Sequence, residues 1–276
     1  MGSRGPAPAV VATPGAPERV AVDNGRMTFT IVPEQNGRIV SWRTNADGVA
    51  HLYGAQDAHR THAWFNPWFG GIQPIAFPHG DGDDWRTVLR KTPFSWVPAA
   101  EEVGGIPWTG VDLEADASEP LQKGVHLRLS YRSCAESNLL VARLTVTIRG
   151  GKPFAANVGF ESYVAPGGDH ARLRFGIDRE PRRRIEPTPR SEEFGFDRWA
   201  IAEASDGAAI VLVSGREGQR LSVLVMGPYG GDIDTTRTAR LRPGEAVDVV
   251  MFLAFERVGI DPALYGALAG AAGLPF

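Results

Sequence analysis

The stretch RMTFTI, Arg26 to Ile31, alternates strictly: Met27, Phe29 and Ile31 are apolar, and Arg26, Thr28 and Thr30 between them are polar. A period of two is the signature of a strand with one face in a core and the other in water. Gly25 and Gly37 punctuate it, and outward from it the same grammar repeats. Arg38 to Thr44, Val125 to Tyr131 and Leu140 to Arg149 read as strands, the last with Leu144, Val146 and Ile148 alternating with Arg143, Thr145 and Thr147. Arg172 to Phe175, Trp199 to Ala204, Ala208 to Ser214 and Leu221 to Met226 follow, and the apolar run Val247 to Phe255 reads as a strand covered on both faces. Only Pro262 to Ala271 reads as a helix. So many strands separated by turn residues, with no helices alternating between them, predict an all-β fold of stacked antiparallel sheets.

Composition agrees and narrows the function. The 276 residues carry a formal charge of −3, too near neutral for a nucleic-acid binder that depends on a basic face. The 33 glycines and 21 prolines supply the turns that many short strands require. No stretch approaches the roughly 20 apolar residues of a membrane helix, so a soluble chain is expected. Cys134 is the single cysteine, which excludes an internal disulfide and a cysteine-based zinc site and fits a reducing, cytoplasmic setting. Residues 1–19, rich in Pro and Ala, read as a flexible leader or linker, and 20–276 as one domain. Such a segment commonly tethers domains, which makes a fused upstream catalytic domain a candidate partner; a frayed terminus is the alternative.

One region breaks the strand grammar. Leu52 to Trp108 holds five of the seven tryptophans and three of the six histidines, and reads as a long aromatic loop. Loops of that length either bind something or, here, plug the open end of a sandwich with rings. Within it, Asn66 and Gln73 flank the pair Gly70 and Gly71, where close backbone approach is open.

Four stretches taken in order carry a family likeness: VDNGRMTFTIVPEQNGRIVSWRTNADGVAHLYG (22–54), NPWFGGIQPIAFPHGDGDDW (66–85), FAANVGFESYVAPGG (154–168) and LRPGEAVDVVMFLAF (241–255). Together they resemble galactose-mutarotase-like, or aldose 1-epimerase-like, domains, over roughly Val20 to Glu256. The resemblance implies a β-supersandwich, a large twisted antiparallel sandwich with few short helices and a concave face that receives sugars. In that family a glutamate and a histidine move the protons of ring opening. His79, followed by Gly80, resembles the family's first histidine. The second histidine belongs on the strand that here reads NVGFESYVAPGG, where Glu161 or Ser162 stands instead. The late catalytic glutamate has no clear counterpart, Glu245 lying in a turn and Glu256 after the last strand.

The replacement strand still has a readable face. A period of two puts Asn157, Gly159, Glu161 and Tyr163 on one side and Val158 and Phe160 on the other. The expected site therefore gathers His79 and Glu161 as a proton-transfer pair with Trp64, Asn66, Trp68, Gln73, Trp85 and Tyr163 as sugar-binding groups. The expected function is recognition of a mono- or oligosaccharide by a noncatalytic module of a larger protein. The alternative is a stand-alone carbohydrate-active enzyme, an epimerase, lyase or hydrolase relative. No cofactor is expected, since MGPYGGDIDTT (226–236) has neither the Walker lysine nor dinucleotide spacing and reads as a sandwich rim carrying Tyr229 and Asp232. No metal is expected at His59 and His62 or at the acidic loop Asp81 to Asp84. His126 reads as a surface residue, Cys134 as inert, and Asp178 to Glu193 as an exposed excursion.

Overall fold

The computed structural model describes residues 9–14, 17–53, 70–78, 92–103, 105–117, 124–135, 137–168, 173–177, 183–185, 192–196, 199–215, 218–225 and 231–257. Their strands are β1 (Ala9–Thr13), β2 (Arg19–Asp23), β3 (Met27–Val32), β4 (Arg38–Thr44), β5 (Ile72–Pro78), β6 (Ser95–Val103), β7 (Ile106–Asp116), β8 (Val125–Cys134), β9 (Leu139–Ile148), β10 (Phe154–Tyr163), β11 (Arg174–Ile177), β12 (Arg183–Ile185), β13 (Glu192–Phe196), β14 (Trp199–Glu203), β15 (Ala209–Ser214), β16 (Arg220–Val225), β17 (Gly231–Leu241) and β18 (Ala246–Glu256). They form two nine-stranded sheets, ordered β1-β2-β3-β4-β5-β10-β17-β16-β13 and β12-β11-β14-β15-β18-β9-β8-β7-β6. Neighbouring strands run antiparallel throughout both sheets. The fold is an all-β antiparallel sandwich. Among the described residues the one helical turn is the 3-10 segment Pro166–Gly168, and no helix is long and apolar enough to cross a membrane.

The alternation that opened the sequence sets the core. Met27, Phe29 and Ile31 are at most 1% exposed, and with Val158, Phe160 and Ile233 they line the inner face of the first sheet. Leu113, Leu127, Leu129, Leu144, Val146, Met251 and Leu253 supply the inner face of the second. Each such large side chain stabilises by roughly 1.5–3 kcal/mol of burial. One register irregularity lies between Thr30 and Ile31, and there Ile39 still meets Ile31.

Three stretches and one residue differ from the sequence reading. Ala9–Thr13, assigned to the leader, is strand β1, paired with β2 from Ala9 opposite Asp23 to Thr13 opposite Arg19. The stretch from Leu52 to Trp108 is not one continuous loop, because it contains β5, β6 and the start of β7. Prolines hid the first two. Beyond Ile72, whose partner is Ile39, β5 is paired along its length only with β10, so Pro74 is not asked to donate a ladder hydrogen bond on the β4 side. Pro98 sits on β6, an edge strand, where an absent N–H is tolerated. Within Asp178 to Glu193, Arg183–Ile185 pairs with β11 and β13 begins at Glu192. His126 is 7% exposed rather than a surface residue, its Nδ1 lying 2.9 Å from Asp116 Oδ1. The expected helix Pro262 to Ala271 lies outside the described residues.

Candidate functional site

Strands β5, β10 and β17 lie side by side, and their register lines polar side chains up across the sheet. Glu161 stands opposite Gln73 on β5 and opposite Asp234 on β17, and Tyr163 stands opposite Asp232. Because Val158 and Phe160 point into the core, Glu161 and Tyr163 leave the opposite, outer face of the same strand. Ser162 confirms the phase, its Oγ lying 3.8 Å from Met251 Sδ of the facing sheet. The same alternation sends Ile233 into the core and both flanking aspartates outward.

Glycines fix the backbone on both sides of Glu161. Gly71, with φ of 76°, precedes β5, and a Cβ there would lie 2.1 Å from the carbonyl oxygen of Ile39, so no other residue lets β5 approach β4 this closely. The Gly71 carbonyl accepts from the Tyr163 N–H at 2.8 Å, and the Gly71 N–H donates to Tyr53 at 3.0 Å. Gly159 is equally constrained, a Cβ there falling 1.8 Å from the carbonyl oxygen of Thr235. Beneath this corner Arg38 is buried, its Nη1 donating to the Gly70 carbonyl at 3.3 Å and its Nη2 to Gln35 Oε1 at 2.9 Å. Burial, reinforced by the charge of Arg19, lowers the Arg38 guanidinium to about 10.

The side chains on this face form one polar cluster. Glu161 is 6% exposed, Tyr163 1%, and Gln73 and Asp232 are fully buried. The Tyr163 hydroxyl donates to Glu161 Oε1 at 2.5 Å, and Gln73 Nε2 donates to Glu161 Oε2. Carboxylate oxygens of Glu161, Asp232 and Asp234 all lie within 4.8 Å of one another. Burial pushes the Glu161 carboxyl up, against the pull of the hydrogen bonds from Tyr163 and Gln73. Asp232 is held well above the ordinary carboxylate range, first by burial and then by the charges of Asp234 and Glu161. The Tyr163 phenol is raised by burial and by the same carboxylates. Asp232 and Glu161 act on each other as hydrogen-bonding acids, which requires a proton on one of them, and Gln73 Oε1 is buried with no donor among the described residues.

Of the residues singled out from sequence, Gln73, Glu161 and Tyr163 come together here. Trp64, Asn66, Trp68, His79 and Trp85 lie outside the described residues, as do His59, His62, the loop Asp81 to Asp84 and Tyr229. Asp232, expected at a rim, is instead fully buried in β17 beside Tyr163, and Asp234 was not singled out at all. Their signal was present in the alternation Asp-Ile-Asp after a glycine-rich turn, which the turn reading obscured. Asn157 shares the outer face but accepts from Thr238 Oγ1 at 2.7 Å in a more open position. Glu245 is exposed and closes its own turn, accepting from the Arg242 N–H at 2.8 Å.

No protein-family model and no curated protein match the chain. Solved structures do. A putative aldose 1-epimerase from Klebsiella pneumoniae superposes with a TM-score of 0.68 at 9% identity, over 92% of this chain and 83% of that one. A galactose mutarotase-like protein from Clostridium acetobutylicum gives 0.66 at 13%, over 91% and 99%. The galactosidase domain of an α-galactosidase–sucrose kinase gives 0.58 at 11%, over 91% of this chain and 42% of that one. At these identities the likeness is one of fold: the chain has the galactose-mutarotase-like β-sandwich.

Proposed function

We propose that the chain is a carbohydrate-recognising domain whose outer β5-β10-β17 face takes a mono- or oligosaccharide. The observation that carries this reading is the row Gln73, Glu161 and Tyr163, set in register on neighbouring strands. An amide, a carboxylate and a phenol are the groups that hydrogen-bond sugar hydroxyls. Fold neighbours titled as aldose 1-epimerase and mutarotase-like proteins support a sugar as the ligand class. A role as an accessory module beside a catalytic partner is supported by the absence of a histidine in Val158 to Tyr163 of β10, and by a neighbour in which this fold spans 42% of the chain. Titration of the chain with a panel of aldoses and short oligosaccharides, followed by tryptophan fluorescence or calorimetry, tests it. Binding by at least one sugar, lost in Gln73→Ala with the fold intact, is expected; no binding by any member of the panel overturns it.

A second reading has its own observation. Glu161 and Asp232 face each other within reach of the Tyr163 phenol, an arrangement able to pass a proton to and from a ring oxygen. Under it His79 and Glu161 serve an epimerase-like reaction. Polarimetry on freshly dissolved glucose and galactose separates the two: rapid mutarotation abolished by Glu161→Gln favours the enzyme, and unaccelerated mutarotation the recognition module.

A further inference from the structure

The second sheet is apolar on both faces. Alternation sends Val249, Met251 and Leu253 of β18 into the core, yet Val250, Phe252 and Ala254 between them belong to a separate apolar cluster on the outer face. The register extends that cluster across four neighbouring strands in two rows: Ile201, Val211, Ala254 and Leu139 form one, and Trp199, Val213, Phe252 and Val141 the other. Polar residues bound the rows, Arg143 paired with Asp248 at 2.7 Å on one side and Glu203 and Glu256 on the other. Val141, Ile201, Val211, Val213, Phe252 and Ala254 are at most 3% exposed. The described strands all lie in the two sheets, and none forms a third layer over these rows.

We propose that the cover is the chain's own C-terminal segment, 258–276, docked as a helix across the outer face of the second sheet. It follows directly from β18, a strand in the middle of the two rows. Its only charged side chain is Asp261, and Pro262 to Ala271 is apolar all round, the composition of a helix that has to be buried. Asp261 suits the N-cap and Pro262 the first helical position. A helix over Pro262 to Ala271 is about 15 Å long, and three strand spacings of about 4.8 Å cover nearly the same distance. So short a helix, with Gly266 and Gly270 inside it, does not persist alone in water, so helix formation and docking are one event. Two other stretches of more than ten residues lie outside the described ones, 54–69 and 79–91. The first is bracketed at the first sheet, where the Tyr53 N–H donates to Tyr163 at 3.2 Å and the Gly71 N–H to Tyr53 at 3.0 Å. The second carries six charged residues, which are costly to lay on an apolar face. The docked segment closes the second sheet to other ligands, whether or not a sugar binds the first.

The test pairs cysteines in the full chain, with Cys134→Ser removing the native thiol. Leu264→Cys and Leu268→Cys, about one helical turn apart, are each combined with Val211→Cys, with Ala254→Cys or, as a control, with Val97→Cys on the edge strand β6. Circular dichroism verifies folding, and air oxidation is followed by peptide mass spectrometry. An intramolecular disulfide to Val211→Cys or Ala254→Cys is expected and none to Val97→Cys, because the bond needs Cα atoms within about 7 Å. Leu268→Asp is expected to lower the melting temperature by about 5 °C or more and to raise binding of a hydrophobic dye. Should it not fold, Leu268→Ala is expected to lower melting by about 2 °C or more. Folded, oxidised variants without an intramolecular disulfide, or with equal cross-linking to Val97→Cys, overturn the docking. So does unchanged melting of Leu268→Asp, and so does a disulfide between two chains, which would give the face to a second copy. No sugar is present in these experiments, so their failure leaves the carbohydrate reading to its own titration.

Discussion

Two outer faces of the same sandwich bury charge in opposite ways. On the second sheet Arg132 is 4% exposed, and its guanidinium is fully engaged: Nε donates to Glu101 at 3.0 Å, Nη2 to Asp112 at 2.8 Å and Nη1 to the Val111 carbonyl at 2.7 Å. Ser130 Oγ completes Asp112 at 2.6 Å. On the first sheet carboxylate oxygens of Glu161, Asp232 and Asp234 lie within 4.8 Å of one another, and Asp232 is raised by burial and by the charges of Asp234 and Glu161. The first arrangement is closed, each charge answered by its neighbours, and holds strands β6, β7 and β8 together. The second sets acid against acid. That contrast supports the proposal that the β5-β10-β17 face takes a ligand.

The comparison can be broken by substitution. The largest effect concerns a third way of burying a titratable group, by giving up its charge. His51 is stacked on Phe255 at 3.7 Å, and burial lowers its imidazole to about 4. The unfolded chain, with the ordinary value near 6.5, takes up the proton first as pH falls. Stability is therefore full above about pH 6.5 and is lost progressively down to about pH 4, by about 3 kcal/mol in total. Chemical denaturation of wild type and His51→Gln across that range checks it, with the acid-dependent difference expected to vanish in the variant. Next, Arg132→Ala leaves Asp112 and Glu101 unanswered and should cost about 2 kcal/mol, the partial exposure of both carboxylates screening the remainder. A melting temperature lower by several degrees is the readout. Asp232→Asn should act in the reverse sense, raising stability by about 1 kcal/mol because it relieves the repulsion of Asp232 by the neighbouring charges of Asp234 and Glu161; a loss of stability would mean that a proton shared between Asp232 and Glu161 holds the cluster together. Smallest is Arg128→Ala, which breaks a 3.0 Å pair to Glu114 with both side chains more than half exposed. Its expected effect is under about 0.5 kcal/mol.

Much of this architecture was legible where side chains alternate. RMTFTI, the run Val247 to Phe255 and the strand around Glu161 gave their positions, and the phase of Asn157, Glu161 and Tyr163 against Val158 and Phe160 followed from a period of two. What escaped was decided by pairing. Pro74 is compatible with β5 because β4 leaves that side open beyond Ile72, and no local rule reveals which edge is open. Asp232 read as a rim residue and Asp234 was passed over because aspartate is rare inside strands. They sit there because Ile233 is needed in the core and because the sheet register sets them against Tyr163 and Glu161. Gln73 was found through its glycine neighbours, and its partner Glu161, 88 residues away, became visible only once β5 and β10 were paired.

The most direct measurement is diffraction from a crystal soaked in glucose or galactose. The account predicts sugar density on the outer face of the first sheet, within hydrogen-bond distance of Gln73, Glu161 and Tyr163. A soaked crystal with no sugar on that face, or with sugar bound only elsewhere, would contradict it.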